Sequence, residues 1–402
     1  MKLRAPQHDV TVYELISADS AHGWGVTLGQ DLLDELRSVD AKSGLEIEQS
    51  GHQWRDQVVN IRGQQDVYTG NDCYGIGRQR LVQILAARAA ELGVRIHYGC
   101  DIRESASELA SADVVVAADG AGSQLRHAAG TFGTNIQLGG NKYIWLATDA
   151  VFESFNFLFV ETPAGWIWAY CYRFDETKST FIAECSAQTW TRLGLDQLPL
   201  DGALVLLGQI FAQHLQGGRL IGQFPDGTYA RWLSFRTITN QRWHHGNLVL
   251  AGDSAHTTHF TIGQGTKLAL EDAIALAGHL DKATPVSLDS ALLAYGAQRR
   301  SEIARIMSDA RYSAQWFESL PRYVGLKADQ FAALLHVRSS PLLVVLPPRV
   351  SYQVSQAAEQ FPVLNRIRNK VGPSVKIMAN RRSARRPLAQ AADLLGSTSR
   401  YQ

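Results

Sequence analysis

One stretch, residues 246–280, constrains the fold of this chain most, because it combines a strand, a glycine-rich loop and a helix. It opens with the apolar run 248–251, which predicts a buried parallel strand. Gly252 and Asp253 follow, and a second pair of glycines, Gly263 and Gly265, precedes apolar residues at helical spacing. Glycine at such places lets the backbone turn and lets another group come close to it. The stretch therefore predicts a loop that contacts a ligand between a strand and a helix.

The start of the predicted helix, at Gly265 and Thr266, is suited to binding an anion. The first backbone N–H groups of a helix have no partner within it, and the helix dipole adds positive charge there. A reduced flavin ring is an anion, and a helix end of this kind stabilises anions. Asp253, at the end of the strand, is placed to accept hydrogen bonds from a polyol such as a ribityl chain. An ordinary strand-to-helix crossover is the alternative.

A second motif follows an apolar run at residues 112–118, which predicts a strand of a parallel sheet covered on both faces. The run leads into the motif Asp119-Gly120-x-x-Ser123-x-x-Arg126. Asp119 falls at the carboxyl end of the strand, where such sheets bind ligands. Ser123 is placed to cap the next helix, and a capped turn without a ligand is the alternative.

A third motif is Arg78, which begins a predicted amphipathic helix that ends at Gly93. A cation gains no stabilisation from the dipole at a helix start, so this position indicates a ligand role for Arg78. An ordinary surface arginine is the alternative. Further upstream, residues 9–14 predict a strand that ends in Glu14, and an acid there accepts hydrogen bonds from a ribose in dinucleotide-binding folds.

These spaced motifs resemble the FAD-binding motifs of the class A flavin-dependent aromatic hydroxylases, over about residues 9–320. Gly252-Asp253-x-Ala255-His256 with Gly263-x-Gly265 resembles their second FAD motif, and residues 119–126 resemble their Asp-Gly motif. Arg78 matches an arginine that contacts FAD near the pyrophosphate and ribityl groups. Phe260 and Lys267 replace the more common proline and asparagine. This variant is similar to the branch that holds salicylyl-CoA 5-hydroxylase, anthraniloyl-CoA monooxygenase and a violacein-pathway hydroxylase.

The resemblance implies an α/β fold, α+β overall, of the p-hydroxybenzoate hydroxylase type. A Rossmann-like FAD-binding domain would carry an inserted, mostly antiparallel β substrate domain. Aromatic, β-prone runs between residues 142 and 185 independently favour such a sheet. The expected division is residues 1–130 and 241–320 for the two parts of the FAD-binding domain, 131–240 for the substrate domain, and 321–402 for a helical region with a basic tail.

The resemblance also implies the chemistry. NADH or NADPH reduces FAD, O2 adds to give a flavin C4a-hydroperoxide, and oxygen passes to an electron-rich aromatic ring. The expected substrate is an aromatic acyl thioester such as salicylyl-CoA, bound to CoA or to a carrier. The alternatives are a hydroxylase of a free aromatic or indolic intermediate, and a non-catalytic, truncated FAD-fold protein. A homodimer is compatible with the resemblance.

Particular residues carry these expectations. His259 is the catalytic candidate, as a base that deprotonates a phenol, and a packing histidine is its alternative. His256 is assigned a positioning role, and no metal site is expected. The expected cofactor-binding residues are Glu14, Arg78, Asp119, Gly252, Asp253, Gly263, Gly265, Thr266 and Lys267.

The strand at 9–14 has no Gly-x-Gly-x-x-Gly loop before it in this sequence. A dinucleotide-binding fold has a strand and such a loop at that place, roughly 20 residues in all. We therefore expect the coding DNA upstream of Met1 to contain them in frame. A truncated chain that binds FAD weakly is the alternative.

Composition excludes several other functions. The net charge is +1, so no global field attracts nucleic acid or an anionic membrane. Four cysteines without CxxC spacing predict reduced thiols in a cytoplasmic protein. No apolar run is long enough to span a bilayer. Basic residues between Arg366 and Arg386 predict a solvated tail.

Overall fold

The computed structural model describes residues 1–18, 22–102 and 106–360. The chain divides into two compact units, with the boundary between residues 314 and 315. The strands are β1 (Thr11–Glu14), β2 (Gly25–Gly29), β3 (His52–Ile61), β4 (Gln64–Gly77), β5 (Arg95–Tyr98), β6 (Val115–Ala117), β7 (Thr134–Leu138), β8 (Asn141–Thr148), β9 (Phe155–Thr162), β10 (Gly165–Arg173), β11 (Ser179–Ser186), β12 (Leu220–Ile221), β13 (Arg236–Asn240), β14 (His244–His245) and β15 (Leu248–Leu250). The helices are α1 (Gln30–Val39), α2 (Ala41–Gln49), α3 (Arg78–Glu91), α4 (Ala106–Ser111), α5 (Gln124–Ala129), α6 (Ala187–Arg192), α7 (Leu200–Ile210), α8 (Ala212–Leu215), α9 (Gly265–Leu280), α10 (Leu288–Glu318), α11 (Ala328–His336), α12 (Leu342–Val345) and α13 (Pro348–Gln360).

The predicted strand, loop and helix of residues 246–280 are present as β15 and α9, with two short 3-10 turns between them. Strand β15 pairs in parallel with β6, and β14 adds an antiparallel edge. Strand β1 pairs in parallel with β5. Because β6 and β15 run in the same direction, their carboxyl ends bring Asp119 and Asp253 to the same edge of the sheet.

The strand expected at residues 112–118 is shorter than predicted, and the expectation that both its faces are covered is wrong for the described residues. Only Val115–Ala117 form the strand. Val115 and Ala117 are buried, but the side chain of Val116 points to the other face and is 44% exposed. Successive side chains of a strand point to opposite faces, so Val115 and Ala117 pack on the core and Val116 does not.

The larger sheet has eight strands in the order β12-β8-β11-β10-β9-β3-β4-β2. Its neighbouring strands are antiparallel except for β3 and β9, which are parallel. Strands β2, β3 and β4 come from residues 25–77, ahead of the substrate domain predicted at 131–240. The sheet therefore extends beyond that segment, and the division into domains stays a prediction.

The register of this sheet gives it two different faces. One face presents small and aliphatic residues such as Ile144 and Ala169, which pack in a core with Phe211 at the end of α7. The opposite face, called here the aromatic face, carries the rings of Tyr143, Trp145, Phe157, Phe159, Trp168 and Tyr170. Alternation along each strand puts these rings on one side.

The second unit has an aromatic core of its own. The Trp316 ring stacks on Tyr323 at 4.8 Å and meets the edge of Phe331 at 5.4 Å. The Tyr323 hydroxyl donates to the carbonyl of Leu343, which joins the core to α12. The basic tail predicted between residues 366 and 386 lies outside the described residues. In the part of the chain that the structure describes, no helix has the length and apolarity needed to cross a bilayer.

Candidate cofactor and substrate site

The glycine turn after β15, Gly252 and Asp253, is bonded to a buried carboxylate on one side and exposed on the other. Gly252 has φ +60°, and its N–H donates to the buried carboxylate of Asp272 at 2.9 Å. The Asp253 side chain next to it is exposed and makes no hydrogen bond to a described residue. Surrounding protein nevertheless raises the pKa of its carboxyl by desolvation, against the charges of His256 and Arg78. The Asp253 carboxylate is therefore accessible to solvent although protein atoms surround much of it.

Arg78 faces the same place. Its N–H donates to the Trp24 carbonyl at 2.8 Å, which fixes the start of α3 beside β2. Its guanidinium makes no hydrogen bond or ion pair to a described residue, yet its charge acts on Asp253. Two opposite charges that act on each other without an ion pair between them are available for a ligand.

The second glycine pair forms a cradle. Gly263 has φ +63°, and a Cβ there would lie 2.8 Å from Thr27 Oγ1 on β2. Helix α9 begins two residues later, at Gly265. The Thr258 hydroxyl lies 3.9 Å from the place of a Cβ on Gly265, is buried, and has no hydrogen-bond partner among the described residues. A buried hydroxyl left unpaired is costly, so its presence indicates a missing polar partner.

These residues fit FAD. Gly265 leaves room for another group against the backbone, the start of α9 offers N–H groups, and Thr258 offers a hydroxyl. Asp253 would accept from the ribityl hydroxyls and Arg78 would bind the pyrophosphate. These assignments stay predictions.

A buried ion network supports this turn, and sequence reasoning missed it. The Asp272 carboxylate on α9 is fully buried and accepts from His256 Nε2 at 2.8 Å and from Arg299 Nε at 2.7 Å, besides Gly252. Arg299, on α10, also pairs with Glu271 at 3.0 Å. Burial alone would lower the pKa of the Arg299 guanidinium, but Asp272 raises it above its usual value. His256 thus has a positioning contact.

The Asp-Gly motif is joined to the glycine turn by Arg126. Ser123 Oγ accepts from the Arg126 N–H at 3.0 Å, which confirms the predicted helix cap. The buried Arg126 guanidinium donates to the carbonyls of Ala121 at 2.7 Å and Ser254 at 2.8 Å. One Asp119 oxygen accepts from the N–H of Gln124 at 2.7 Å, so part of that carboxylate caps α5.

Three predicted cofactor residues have less direct placements. Glu14 Oε1 accepts from the Ile16 N–H at 2.9 Å, and its strand lies in the separate β1–β5 pair. The Lys267 amino group pairs with Asp31 and lies 3.7 Å from Glu271. Because the side chain is paired within the protein, the backbone N–H of Lys267 is the group that could bind the cofactor. Thr266 is half-buried in the same first turn.

An aromatic lining adjoins the cofactor site. Phe260 lies in the 3-10 turn before Gly263. Its ring centroid is 4.8 Å from that of Tyr143 and 5.5 Å from that of Tyr170, both on the aromatic face. It also contacts Phe235 at 6.0 Å and stacks on His259 at 4.4 Å. Desolvation raises the pKa of Tyr143, and the charge of Asp253 reaches it. Phe260 thus places the aromatic face next to the second glycine pair, Gly263 and Gly265.

Known proteins with similar sequences decide the family. The FAD binding domain family matches residues 226–310. The chain is 34% identical to a salicyloyl-CoA 5-hydroxylase from a Streptomyces species, over 85% of this chain and 67% of that protein. It is 35% identical to the 3-hydroxy-4-methyl-anthranilyl-[aryl-carrier protein] 5-monooxygenase of Streptosporangium sibiricum, over 78% and 83%. The chain belongs to the class A FAD-dependent aromatic hydroxylases.

Two further similarities agree with this family. The hydroxylase is 28% identical to the protodeoxyviolaceinate monooxygenase of Chromobacterium violaceum, over 85% of this chain and 91% of that protein. Its fold matches a structure of 2-methyl-3-hydroxypyridine-5-carboxylic acid oxygenase with a TM-score of 0.63 at 19% identity, over 82% and 91% of the chains. The predicted fold class, FAD cofactor and monooxygenase activity are confirmed.

Asp253→Ala in this hydroxylase should weaken FAD binding about tenfold to a hundredfold. Losing a hydrogen bond to a charged group costs about 1.5–3 kcal/mol. FAD retained after gel filtration measures the effect. Asp113→Ala is the matched control, because Asp113 is exposed just before the amino end of the neighbouring strand β6. Equal FAD content in the two variants would contradict the role of Asp253.

Burial lowers the pKa of His259 to about 3, which makes a pH dependence of stability testable. An unfolded histidine has a pKa of about 6.5, so the unfolded chain binds a proton that the folded chain does not. Stability from this group is complete above about pH 6.5 and falls as the pH is lowered. Between pH 7 and pH 5, urea unfolding should show a loss about 2 kcal/mol larger in the wild type than in His259→Gln.

Proposed function

We propose that this hydroxylase uses NADH or NADPH and O2 to hydroxylate an aromatic acyl thioester, with salicylyl-CoA as the leading candidate. The observation that carries the proposal is the aromatic lining around Phe260, directly before the glycine cradle. It suits a planar ring presented edge-on to a flavin. The thioester is supported by the two relatives whose names specify CoA-bound and carrier-bound substrates.

The residues of the lining would hold and shield the ring. Tyr143, Phe235 and Phe260 are partly exposed and would contact the ring, while the buried Tyr170 packs against Phe260 from behind. Such a lining excludes water and restricts the orientation of the ring, which is the main contribution a protein makes to cofactor chemistry. Bound FAD would supply the redox chemistry, by accepting hydride and activating O2.

The orientation of Tyr170 is fixed from behind. Its hydroxyl donates to Glu184 at 2.6 Å, and Glu184, which is 1% exposed, also accepts from Asn141 at 2.7 Å. Sequence reasoning did not single out this carboxylate. Because both partners are buried, the Tyr170 ring is held in one position against Phe260.

The remainder of the substrate would contribute to binding outside the ring. A hydroxyl or amino group ortho to the thioester makes the ring nucleophilic enough to accept oxygen. The CoA or carrier portion supplies binding energy remote from the reacting atoms, and this energy can be used for orientation.

The test is NADH and NADPH oxidation by the FAD-loaded protein, with aromatic CoA esters, carrier-bound esters and the matching free acids. Products are identified by mass spectrometry. We expect oxidation that is stimulated by thioesters and coupled to one added oxygen atom. Coupled hydroxylation of free indolic or phenolic compounds, with none of the thioesters, would contradict this proposal. It would support a second function, the hydroxylation of a free aromatic or indolic intermediate. The violaceinate relative is the observation that favours that second function.

A further inference from the structure

The imidazole of His259 has one nitrogen committed to the protein. Its Nδ1 accepts from the backbone N–H of Thr261 at 3.5 Å and thereby caps the 3-10 turn Phe260–Ile262. The Thr261 hydroxyl lies 3.1 Å from the same nitrogen. A ring nitrogen that accepts a backbone N–H carries no proton, so the proton of the neutral ring is on Nε2.

A buried hydroxyl on another element supports this arrangement. Ser313 on α10, which is fully buried, donates through Oγ to Thr261 Oγ1 at 2.9 Å. With that acceptor position occupied, the Thr261 hydroxyl can direct its own proton towards His259 Nδ1. The contacts from Ser313 to Thr261 to His259 thus favour one tautomer.

The other nitrogen is available. His259 is 9% exposed, and its Nε2 makes no hydrogen bond to a described residue. This nitrogen is not completely buried, unlike the unpaired Nδ1 of His256. Phe260 and Phe235 flank the ring at 4.4 and 4.6 Å. The Nε2–H therefore reaches open space at the aromatic lining.

We propose that His259 binds an oxygen of the aromatic substrate by donating a hydrogen bond from Nε2, and that it does not act as a base. The proposal rests on the proposed function, since that function supplies an aromatic substrate with an oxygen. It replaces the role first expected for His259. Burial lowers the pKa of this imidazole to about 3, so it is far too weak a base for a phenol, whose pKa is about 10.

Two variants separate donation from packing. His259→Phe keeps a ring of similar size but has no donor, whereas His259→Gln places an amide N–H near the position of Nε2. Substrate Kd is measured from the flavin absorbance change in the FAD-loaded full chain, with salicylyl-CoA as the probe. The phenylalanine variant also loses the Nδ1 acceptor that caps the turn, so the two variants are compared at equal FAD content. We expect the Kd of the phenylalanine variant to be about tenfold weaker than that of the glutamine variant, which recovers most of the loss. Wild-type affinity in the phenylalanine variant, or equal losses in both, would overturn the proposal.

A second measurement does not depend on turnover. The full chain with 15N-labelled histidine is studied by NMR, and the His259 signal is assigned by its loss in His259→Gln. We expect the neutral Nε2–H pattern throughout pH 6 to 9. A neutral Nδ1–H pattern, or titration to imidazolium within that range, would overturn the proposal whichever substrate the enzyme takes. If no thioester is bound but the Nε2–H pattern is seen, the proposed substrate fails while the donor is retained, and the Kd comparison is repeated with the indolic or phenolic compound that is turned over.

Discussion

Asp272→Ala should lower the free energy of unfolding by about 3–5 kcal/mol and release most of the FAD, because it breaks a fully buried ion pair. The change leaves the Arg299 guanidinium, which is 4% exposed, without its main partner. It also removes the acceptor for the N–H of Gly252 and for His256. The glycine turn that holds Asp253 then loses the hydrogen bond that fixes its backbone.

Chemical denaturation and FAD content measure the two parts of this result. Asp289→Ala is the control, since Asp289 is on α10 and pairs with His244 while its side chain is 81% exposed. An exposed pair of this kind contributes about 0–1 kcal/mol. A loss of stability or FAD no larger than in the control would refute the supporting role of Asp272.

Gly263→Ala should reduce FAD affinity about tenfold to a hundredfold and stability by about 1–2 kcal/mol. The left-handed conformation at φ +63° costs a residue with a side chain about that much stability. The added methyl group would also lie 2.8 Å from Thr27 Oγ1, so the loop or β2 must move. Because this loop sets the start of α9, the displacement reaches the cofactor.

Gly130→Ala separates these two effects. Gly130 ends α5 at the same φ of +63°, but no atom of a described residue lies within 4 Å of the place of its Cβ. It should lose comparable stability and keep its FAD, measured by gel filtration and flavin absorbance. Equal FAD content in the two variants would contradict the cradle at Gly263.

Local patterns predicted the elements that carry the site. The strand before Gly252, the helix at Gly265 and the cap at Ser123 each follow from residues that are neighbours in sequence. Arg78 is predicted to be a ligand residue because its position at a helix start is unfavourable for a cation. Such features depend on backbone preferences within a few residues, which a sequence displays directly.

The contacts that hold the site depend on residues distant in sequence. Asp272 and Arg299 each fall in a helical pattern that accounts for them as surface charges, and only the packing of α9 on α10 brings them together. The tautomer of His259 depends in the same way on Ser313 of α10. Lys267 could not be seen to pair with Asp31, since they lie on different elements. Side-chain pairs between different helices and strands therefore could not be predicted from the sequence, because they depend on how these elements pack.

The eight-stranded sheet affects how substrate preference could be transplanted between relatives. Its strand β9 pairs with β3, which belongs to residues 25–77, and β4 and β2 continue from there. A chimera that exchanged residues 131–240 alone would join strands from two different parents along the β3–β9 seam. The mismatched seam would expose or overcrowd an apolar edge, which favours aggregation. A functional graft would have to carry both segments, so in this enzyme the unit of exchange is discontinuous in the gene.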